Sequence, residues 1–488
     1  FQDQGAELLL LGVLLTSVIS HQRQTNRGEY GILCGDYPKL LTDQSKMSEQ
    51  VYGKTRRCLP EVLREAGYAT AYIQSAPLGF MFKDQFMKKA GFEELKGDPW
   101  FERSYARTDW GVDDRSFFEQ SIERVLELAQ SEQPFFATLL TVGTHHPFTF
   151  PKTATFEGAE TRRDRAFRWA DDALANFLDA LEERGVLDDT VVIITSDESS
   201  GLAKAADATQ RLLSQSWSFA IVMLPEPRAT RIDTLYAHVD TALSVVDLLG
   251  LDGEAETFLG RSWFRDYEAP RRLFSGNTYA RSVVMWEPSG AVLVCDESFR
   301  HCSRSKPSGA GVFGPKRESE PALARDRQLL AEVARLSRSG RSDLGRVGEV
   351  ELLAEREVSV PAADGKKLLI GGQYLRVPAG ATLRVNLDLE VIGEPSIVEL
   401  HQDVFLDGYE KFARKDFRLR NGERWRLDYE IAVPKDSSQL VVQLYGTTVS
   451  GERAALRFHD ARLSMTDGSA NTESTVVIRD EVSRAAAR

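Results

Sequence analysis

The sequence predicts an α/β domain built on a mainly parallel sheet with helices on both faces, followed by a C-terminal all-β sandwich. Three observations carry this reading. Over residues 1–251, short apolar runs alternate with amphipathic stretches, the pattern of buried parallel strands separated by covering helices. Over residues 368–465, strand-like segments such as Thr382-Leu383-Arg384-Val385-Asn386-Leu387-Asp388-Leu389 recur between turn residues with no helical period. The chain, at 488 residues, is also longer than a typical single domain and long enough for a large core.

Taken in order, apolar residues 14–20 read as a strand that feeds the run His21-Gln22-Arg23-Gln24-Thr25-Asn26-Arg27-Gly28-Glu29-Tyr30. Helices are predicted near residues 59–66, 117–129 and 165–184, and strands at 69–74, 135–142, 191–195 and 219–224. Residues 272–302 change to short strands broken by the turns Glu287-Pro288-Ser289-Gly290 and Asp296-Glu297, which close a domain at 1–305. Residues 306–366 have the composition of a linker, with a polar helix near 323–336. The sandwich is expected at 367–467, and the small, polar tail at 468–488 is expected to be disordered.

The net charge of -12 argues against a nonspecific nucleic-acid binder, so no nucleic-acid partner is expected. An anionic substrate would need a metal or local cations. The run Leu8-Leu9-Leu10-Leu11-Gly12-Val13-Leu14-Leu15 falls short of the ~20 residues that span a bilayer, and no charged leader precedes it. The chain opens without methionine and reads as a trimmed piece whose membrane anchor would lie upstream. Four cysteines fall as two local pairs, Cys34 with Cys58 and Cys295 with Cys302. They suit disulfides in an oxidising compartment; four buried thiols are the other reading, and zinc is disfavoured because neither pair has CxxC spacing.

Thr25 lies on the turn after a strand, flanked by basic residues and Gly28, a place from which a hydroxyl can attack a phosphorus or sulfur ester. The competing reading is a helix N-cap. Two further strands end on chemistry-bearing pairs. Residues 134–142 lead to His145-His146, and residues 190–195 lead to Asp197-Glu198. Open α/β sheets place their sites at the carboxyl ends of strands, so these groups can converge on one crevice. For Asp197-Glu198 the alternative is an acidic pair at a helix N-terminus. His238, before the apolar stretch around Val245, reads either as a crevice residue or as a helix cap.

The order and wording of these segments resemble the alkaline phosphatase superfamily, in its sulfatase-like branch with lipoteichoic acid synthases and phosphoglycerol transferases. Supporting phrases are Leu59-Pro60-Glu61-Val62-Leu63-Arg64-Glu65-Ala66-Gly67-Tyr68, Lys88-Lys89-Ala90-Gly91-Phe92, Trp110-Gly111-Val112-Asp113-Asp114 and Trp169-Ala170-Asp171-Asp172-Ala173-Leu174. The resemblance covers roughly residues 1–287 and implies a small antiparallel subdomain at 272–302. It implies a metal-dependent phosphate-ester transferase or hydrolase acting through a covalent threonine, with the catalytic domain in the periplasm or outside the cell and an anchor in the bacterial inner membrane. The implied substrate is an anionic phospholipid or a glycan-linked phosphate ester.

By position Thr25 matches the family's nucleophile and metal ligand, and Asp197 its metal-binding aspartate. Glu198 stands where the family has a histidine, and the family's first-strand glutamate has no counterpart in this sequence. A Thr25, Asp197 and Glu198 oxygen set favours hard ions, Mn2+ or Mg2+, over zinc. His145 matches a substrate-binding histidine, with His146 beside it. Lys83 replaces a phosphate-contacting arginine, Met81 stands at a tryptophan position, and Arg27 offers a further cation to the substrate. A sulfuric ester hydrolase is the less favoured alternative, because Thr25-Asn26-Arg27-Gly28-Glu29 lacks the C/S-x-P-x-R run that matures to formylglycine. A pseudoenzyme or glycan-binding scaffold is the other. For glycan binding, Tyr374, Tyr409, Phe412, Trp425 and Tyr445 are available, although a sandwich core also needs such aromatics.

Overall fold

The structure is a computed structural model describing residues 12–41, 57–202, 204–226, 228–307, 317–338, 349–351, 357–360, 367–376, 382–392, 397–406, 410–420, 422–432, 439–450, 454–466 and 478–484. The first part runs β1 (Gly12–Ile19), α1 (Thr25–Cys34), α2 (Leu59–Glu65), β2 (Ala69–Gln74), α3 (Lys83–Ala90), β3 (Glu94–Lys96), β4 (Arg107–Thr108), β5 (Gly111–Val112), α4 (Asp114–Ala129) and β6 (Phe135–Leu140). It continues α5 (Arg162–Glu182), β7 (Val192–Thr195), α6 (Ala208–Ser214), β8 (Trp217–Met223), β9 (Thr230–Ile232), β10 (Tyr236–Ala237) and α7 (Val239–Leu248).

These strands form two groups, β10-β1-β8-β7 with β9 against β1, and β3-β2-β6. β2 pairs in parallel with β3 and β6, and β1 with β9 and β10, whereas β8 runs antiparallel to β1 and β7. The expected mainly parallel sheet is therefore present with one reversed strand. Alternate faces of β6 explain the two covering layers. Phe135 packs with Phe118 and Phe177 of α4 and α5, while Phe136 turns to Leu59, Val62 and Ala242 of α2 and α7. Capping sets where the long helices begin: Asp113 accepts from Ser116 N–H, and Thr161 with Asp164 makes a reciprocal capping box.

Side chains of β6 and β7 are partly exposed at every position, in contrast to β2, where all but the first are buried. Exposure through one face alternates with period two, so uniform half-exposure enters from the strand's edge. Accordingly β6 pairs with β2 alone and β7 with β8 alone among the described residues.

The antiparallel subdomain is β11 (Leu273–Asn277), β12 (Ser282–Trp286), β13 (Val292–Asp296), β14 (Cys302–Pro307) and β15 (Arg317–Glu320), in sequential order. It reaches past the expected boundary. α8 (Ala324–Arg338), expected as a linker helix, buries Leu330 and Ala334 against Val283, Met285 and Leu293. Its apolar stripe docks on the sheet, so this stretch belongs to the subdomain and does not behave as a linker.

Two antiparallel sheets follow. One has the order β16 (Glu349–Glu351), β24 (Ala454–Thr466), β19 (Thr382–Ile392), β22 (Glu423–Ala432), β25 (Ile478–Arg484), with β17 (Glu357–Val360) also on β24. The other is β18 (Lys367–Arg376), β23 (Gln439–Ser450), β20 (Ile397–Leu406), β21 (Glu410–Arg420). The sandwich starts earlier than expected, at β16 within the supposed linker. It also ends later, because β25 pairs with β22 inside the tail expected to be disordered. Inward-facing Val385, Leu387, Leu389, Leu400, Leu427 and Leu456 fill its core, and Trp425 packs against them. Tyr445 is partly buried; Tyr409, and the side chains of Tyr374 and Phe412, lie outside the described residues.

Both cysteine pairs are disulfides, Cys34–Cys58 with S–S 2.06 Å and Cys295–Cys302 with S–S 2.03 Å. The first joins the end of α1 to the start of α2, and the second links directly opposed residues of β13 and β14. Among the described residues no helix is long and apolar enough to cross a membrane.

Phe117 of α4 is fully buried against Phe101 and Phe118, with ring centroids at 5.5 and 5.2 Å. Phe117→Ala is expected to destabilise the α/β part by about 3–5 kcal/mol in urea unfolding followed by tryptophan fluorescence. A loss below about 1 kcal/mol would contradict the packing described.

Candidate active site

Thr25 opens α1, but it is not the capping residue. Gln24 occupies that place at φ 89° and makes no side-chain cap bond. The Thr25 hydroxyl is therefore released from the capping role and lies beside the Asp197 carboxylate beyond β7, close enough to lower that carboxyl's proton affinity. The approach depends on Gly28: a Cβ there would lie 2.1 Å from the Asp197 carbonyl oxygen. Gln24, Met81, Phe82 and Phe148 are four non-glycine residues at positive φ, and all four lie on the loops that carry the candidate residues. Such conformations cost of order 1–3 kcal/mol each and cluster where structure is imposed for function.

Asp197 is partly buried. Burial, and after it the charge of Glu198, raises its carboxyl above the ordinary range, while the Thr25 hydroxyl pulls it back. Glu198 does not begin a helix, because residues 198–202 and 204–207 have no helical structure before α6. Its Oε2 accepts from Arg23 Nε at 2.6 Å and from the Gln24 N–H at 2.9 Å.

Behind Thr25 lies a buried polar cluster. Glu29, one turn further along α1, pairs with Lys83 Nζ at 3.3 Å, both side chains being 5% exposed. Lys83 also donates to Gln74 Oε1 at 3.1 Å, and the Tyr72 hydroxyl lies 2.5 Å from Glu29 Oε1. Burial and the Glu29 charge hold the Tyr72 phenol well above its usual range, so it remains a donor. Lys83, expected at the substrate, is thus committed to Glu29 under α1, and its charge acts on Asp197 from there. Arg27 is fully buried, with Nη1 3.3 Å from Thr278 Oγ1 of the β11–β12 turn.

His145 and His146 are exposed on the loop after β6. The His145 ring lies 4.6 Å from Trp110, whose ring meets Phe80 edge-on at 5.1 Å. No described contact joins either histidine to Thr25. The loop is fixed from below by Asp114, whose Oδ1 accepts from Gly143 N–H at 2.7 Å and Val142 N–H at 3.3 Å. His238 is buried at the start of α7 and makes no side-chain cap bond. His21 is buried with Nδ1 2.7 Å from the Phe274 carbonyl and Nε2 accepting from Val239 N–H, and burial lowers it to about 4.

Thr25 and Asp197 are two hard oxygen donors side by side, suited in type to Mn2+ or Mg2+. The third expected ligand, Glu198, is ion-paired with Arg23, and a guanidinium 2.6 Å from its oxygen opposes a divalent cation there. No group of three or more His, Cys, Asp or Glu able to hold a metal occurs among the described residues. The residues present do not fit a complete divalent-ion cage.

Comparison with known proteins establishes the family and the fold. Residues 6–251, half of the chain, match the sulfatase family. The chain belongs to the sulfatase family. Phosphoglycerol transferase I of Escherichia coli O157:H7 is 30% identical over 217 residues, 42% of this chain and 28% of that protein. The chain thus spans little more than a quarter of the curated relatives' length. An alkaline phosphatase superfamily protein from Vibrio parahaemolyticus superposes with TM-score 0.59 at 18% identity, over 70% of this chain and 82% of the other. The lipoteichoic acid synthase LtaP from Listeria monocytogenes gives TM-score 0.53 at 16% identity, over 68% and 84%. At these identities the structures establish a shared fold.

Sequence reasoning missed Glu29, Tyr72 and Arg23. The i, i+4 spacing of Thr25 and Glu29 on one helix face was the available signal for the first.

Two outcomes follow from the packing around Thr25 and His145. Gly28→Ala is expected to lower stability by about 1–3 kcal/mol, the cost of overpacking, in thermal melts; an unchanged melt would refute the close approach. Asp114 is fully buried and desolvation raises its carboxyl from 3.8 to about 7. The folded protein binds this proton more tightly than the unfolded chain, so the contribution is complete below about pH 4 and lost as pH rises through 7. Asp114→Asn should remove that slope, worth roughly 2–3 kcal/mol between pH 5 and pH 8, in unfolding free energies compared at those two values. Parallel pH profiles for the two proteins would contradict it.

Proposed function

We propose that this chain is the catalytic part of a phosphate-ester transferase or hydrolase acting through a covalent threonine, outside the cytoplasmic membrane. The observation that carries the reading is the Thr25 hydroxyl, released from capping and placed beside the Asp197 carboxylate, whose proton affinity is raised. In the reaction Thr25 Oγ1 attacks phosphorus, and its proton passes through Asp197 to the leaving-group oxygen as that P–O bond breaks. An acceptor hydroxyl or water then attacks the phosphothreonine, and its proton passes through Asp197 to Thr25 Oγ1 as the Thr25–phosphorus bond breaks. Because the ligand set for Mn2+ or Mg2+ is incomplete, no step is routed through a metal.

Phosphoglycerol-type transfer is favoured over sulfate-ester hydrolysis by the likeness to phosphoglycerol transferase I and by a threonine at the nucleophile position. The substrate class is an anionic phospholipid or glycan-linked phosphate ester. The two disulfides support an oxidising compartment such as the periplasm or cell exterior.

Thr25→Ala is expected to abolish turnover of a chromogenic phosphodiester, with a sulfate monoester as the comparison substrate. Wild-type rates in the alanine variant would dismiss the nucleophile. Turnover of the sulfate alone would shift the reading to a sulfuric ester hydrolase. A wild type inert on both esters, with and without Mn2+, would make the chain a pseudoenzyme scaffold.

A further inference from the structure

An ester anion approaching Thr25 needs positive charge, and the chain's net charge of -12 supplies none in bulk. Two of the cations near Thr25 are buried, Lys83 against Glu29 and Arg27 beside Thr278. Arg23 remains. It stands two residues before Thr25 on the loop from β1 to α1, with its side chain 20% exposed.

The way Arg23 is held differs from the other buried arginine pairs of this protein. Arg271 grips Asp240 through Nη1 and Nη2, and Arg304 grips Glu287 through Nε and Nη2, each using two guanidinium nitrogens against two carboxylate oxygens. That two-point grip is what an arginine does when its task is to pair with a carboxylate. Arg23 gives Glu198 only Nε, at 2.6 Å. Its two Nη groups find no acceptor among the described residues. The guanidinium carbon lies 5.7 Å from the centroid of the Tyr279 ring, and Tyr279 is fixed by Gln24 Nε2 donating to its hydroxyl at 2.9 Å. Glu198 therefore tethers one corner of the guanidinium and Tyr279 supports its plane, leaving the fork unoccupied.

We propose that Arg23, oriented by Glu198 and Tyr279, is the oxyanion-binding residue of the Thr25 site. Its Nη fork takes two non-bridging oxygens of a phosphate or sulfate ester, the planar two-point match that a lysine cannot make. Glu198 is then a positioning residue for a fixed organic cation. This deepens the function proposed above and rests on it only for the attack by Thr25; anion binding can be measured apart from turnover.

The test is titration calorimetry of the full chain with inorganic phosphate and inorganic sulfate at low ionic strength. Arg23→Met is expected to weaken phosphate binding at least about tenfold, the scale of losing hydrogen bonds to a charged group. Arg23→Lys should leave most of that loss. Glu198→Gln should weaken binding less than Arg23→Met. Tyr279→Ala, on a ring 60% exposed whose removal leaves the core intact, should weaken it about threefold. The relative loss for phosphate and sulfate identifies which oxyanion the fork prefers. Phosphate and sulfate binding that is unchanged in Arg23→Met, or absent from the wild type, overturns the proposal, as does full rescue by lysine. If Arg23→Met loses the anion while no ester is turned over by the wild type, the enzyme reading fails and this one stands. If Thr25→Ala stops turnover while Arg23→Met binds both anions normally, the reverse holds.

Discussion

The close approach of α1 to the Asp197 backbone is the constraint on which the site depends, and the two elements meet only because Gly28 has no side chain. β7 delivers Asp197 and α1 delivers Thr25. Backbone approaches this close are available to glycine alone, so the reactive pair is set by an absence of atoms at a neighbouring position. The buried Glu29–Lys83 pair beneath then balances charge that would otherwise stand unpaired next to Asp197.

Much of the α/β part was legible in the chain. The run at 69–74 is β2, residues 135–142 contain β6, and 165–184 lies mostly in α5, because apolar periodicity reports local burial directly. Thr25, Asp197 and Glu198 were legible as strand-end residues. What they contact was not. Tyr279 reaches Gln24 across 255 positions and Glu198 reaches Arg23 across 175, distances over which no local pattern carries information. Lys83 and Arg27 illustrate the same limit: a cation's position in a motif leaves open whether it faces solvent or a buried carboxylate or hydroxyl. The region after residue 306 was misjudged for a different reason. Its polar composition hid the apolar stripe of α8 and the pairing of β16 and β25, which depends on partners supplied elsewhere.

The place of Glu198 also has a physical reading: beside Asp197 its carboxylate has a charge partner of its own, the Arg23 guanidinium. The pairing of Glu198 with Arg23 and the burial of Lys83 and Arg27 are mutually consistent, since each leaves positive charge where a partner is fixed in place.

The half-exposed strands β6 and β7 give the site an uneven mechanical footing. Amide exchange with solvent is slowest where strands are paired on both sides, as β1, β2 and β8 are here, and faster along an edge. The two strands whose ends hold the His145 loop and Asp197 are thus less protected than β1, β2 and β8, and deuterium would enter them sooner than those three. Backbone groups at such edges also pair readily with another extended chain. Whatever occupies or vacates those edges changes the rigidity of the groups around Thr25 without touching any of them directly.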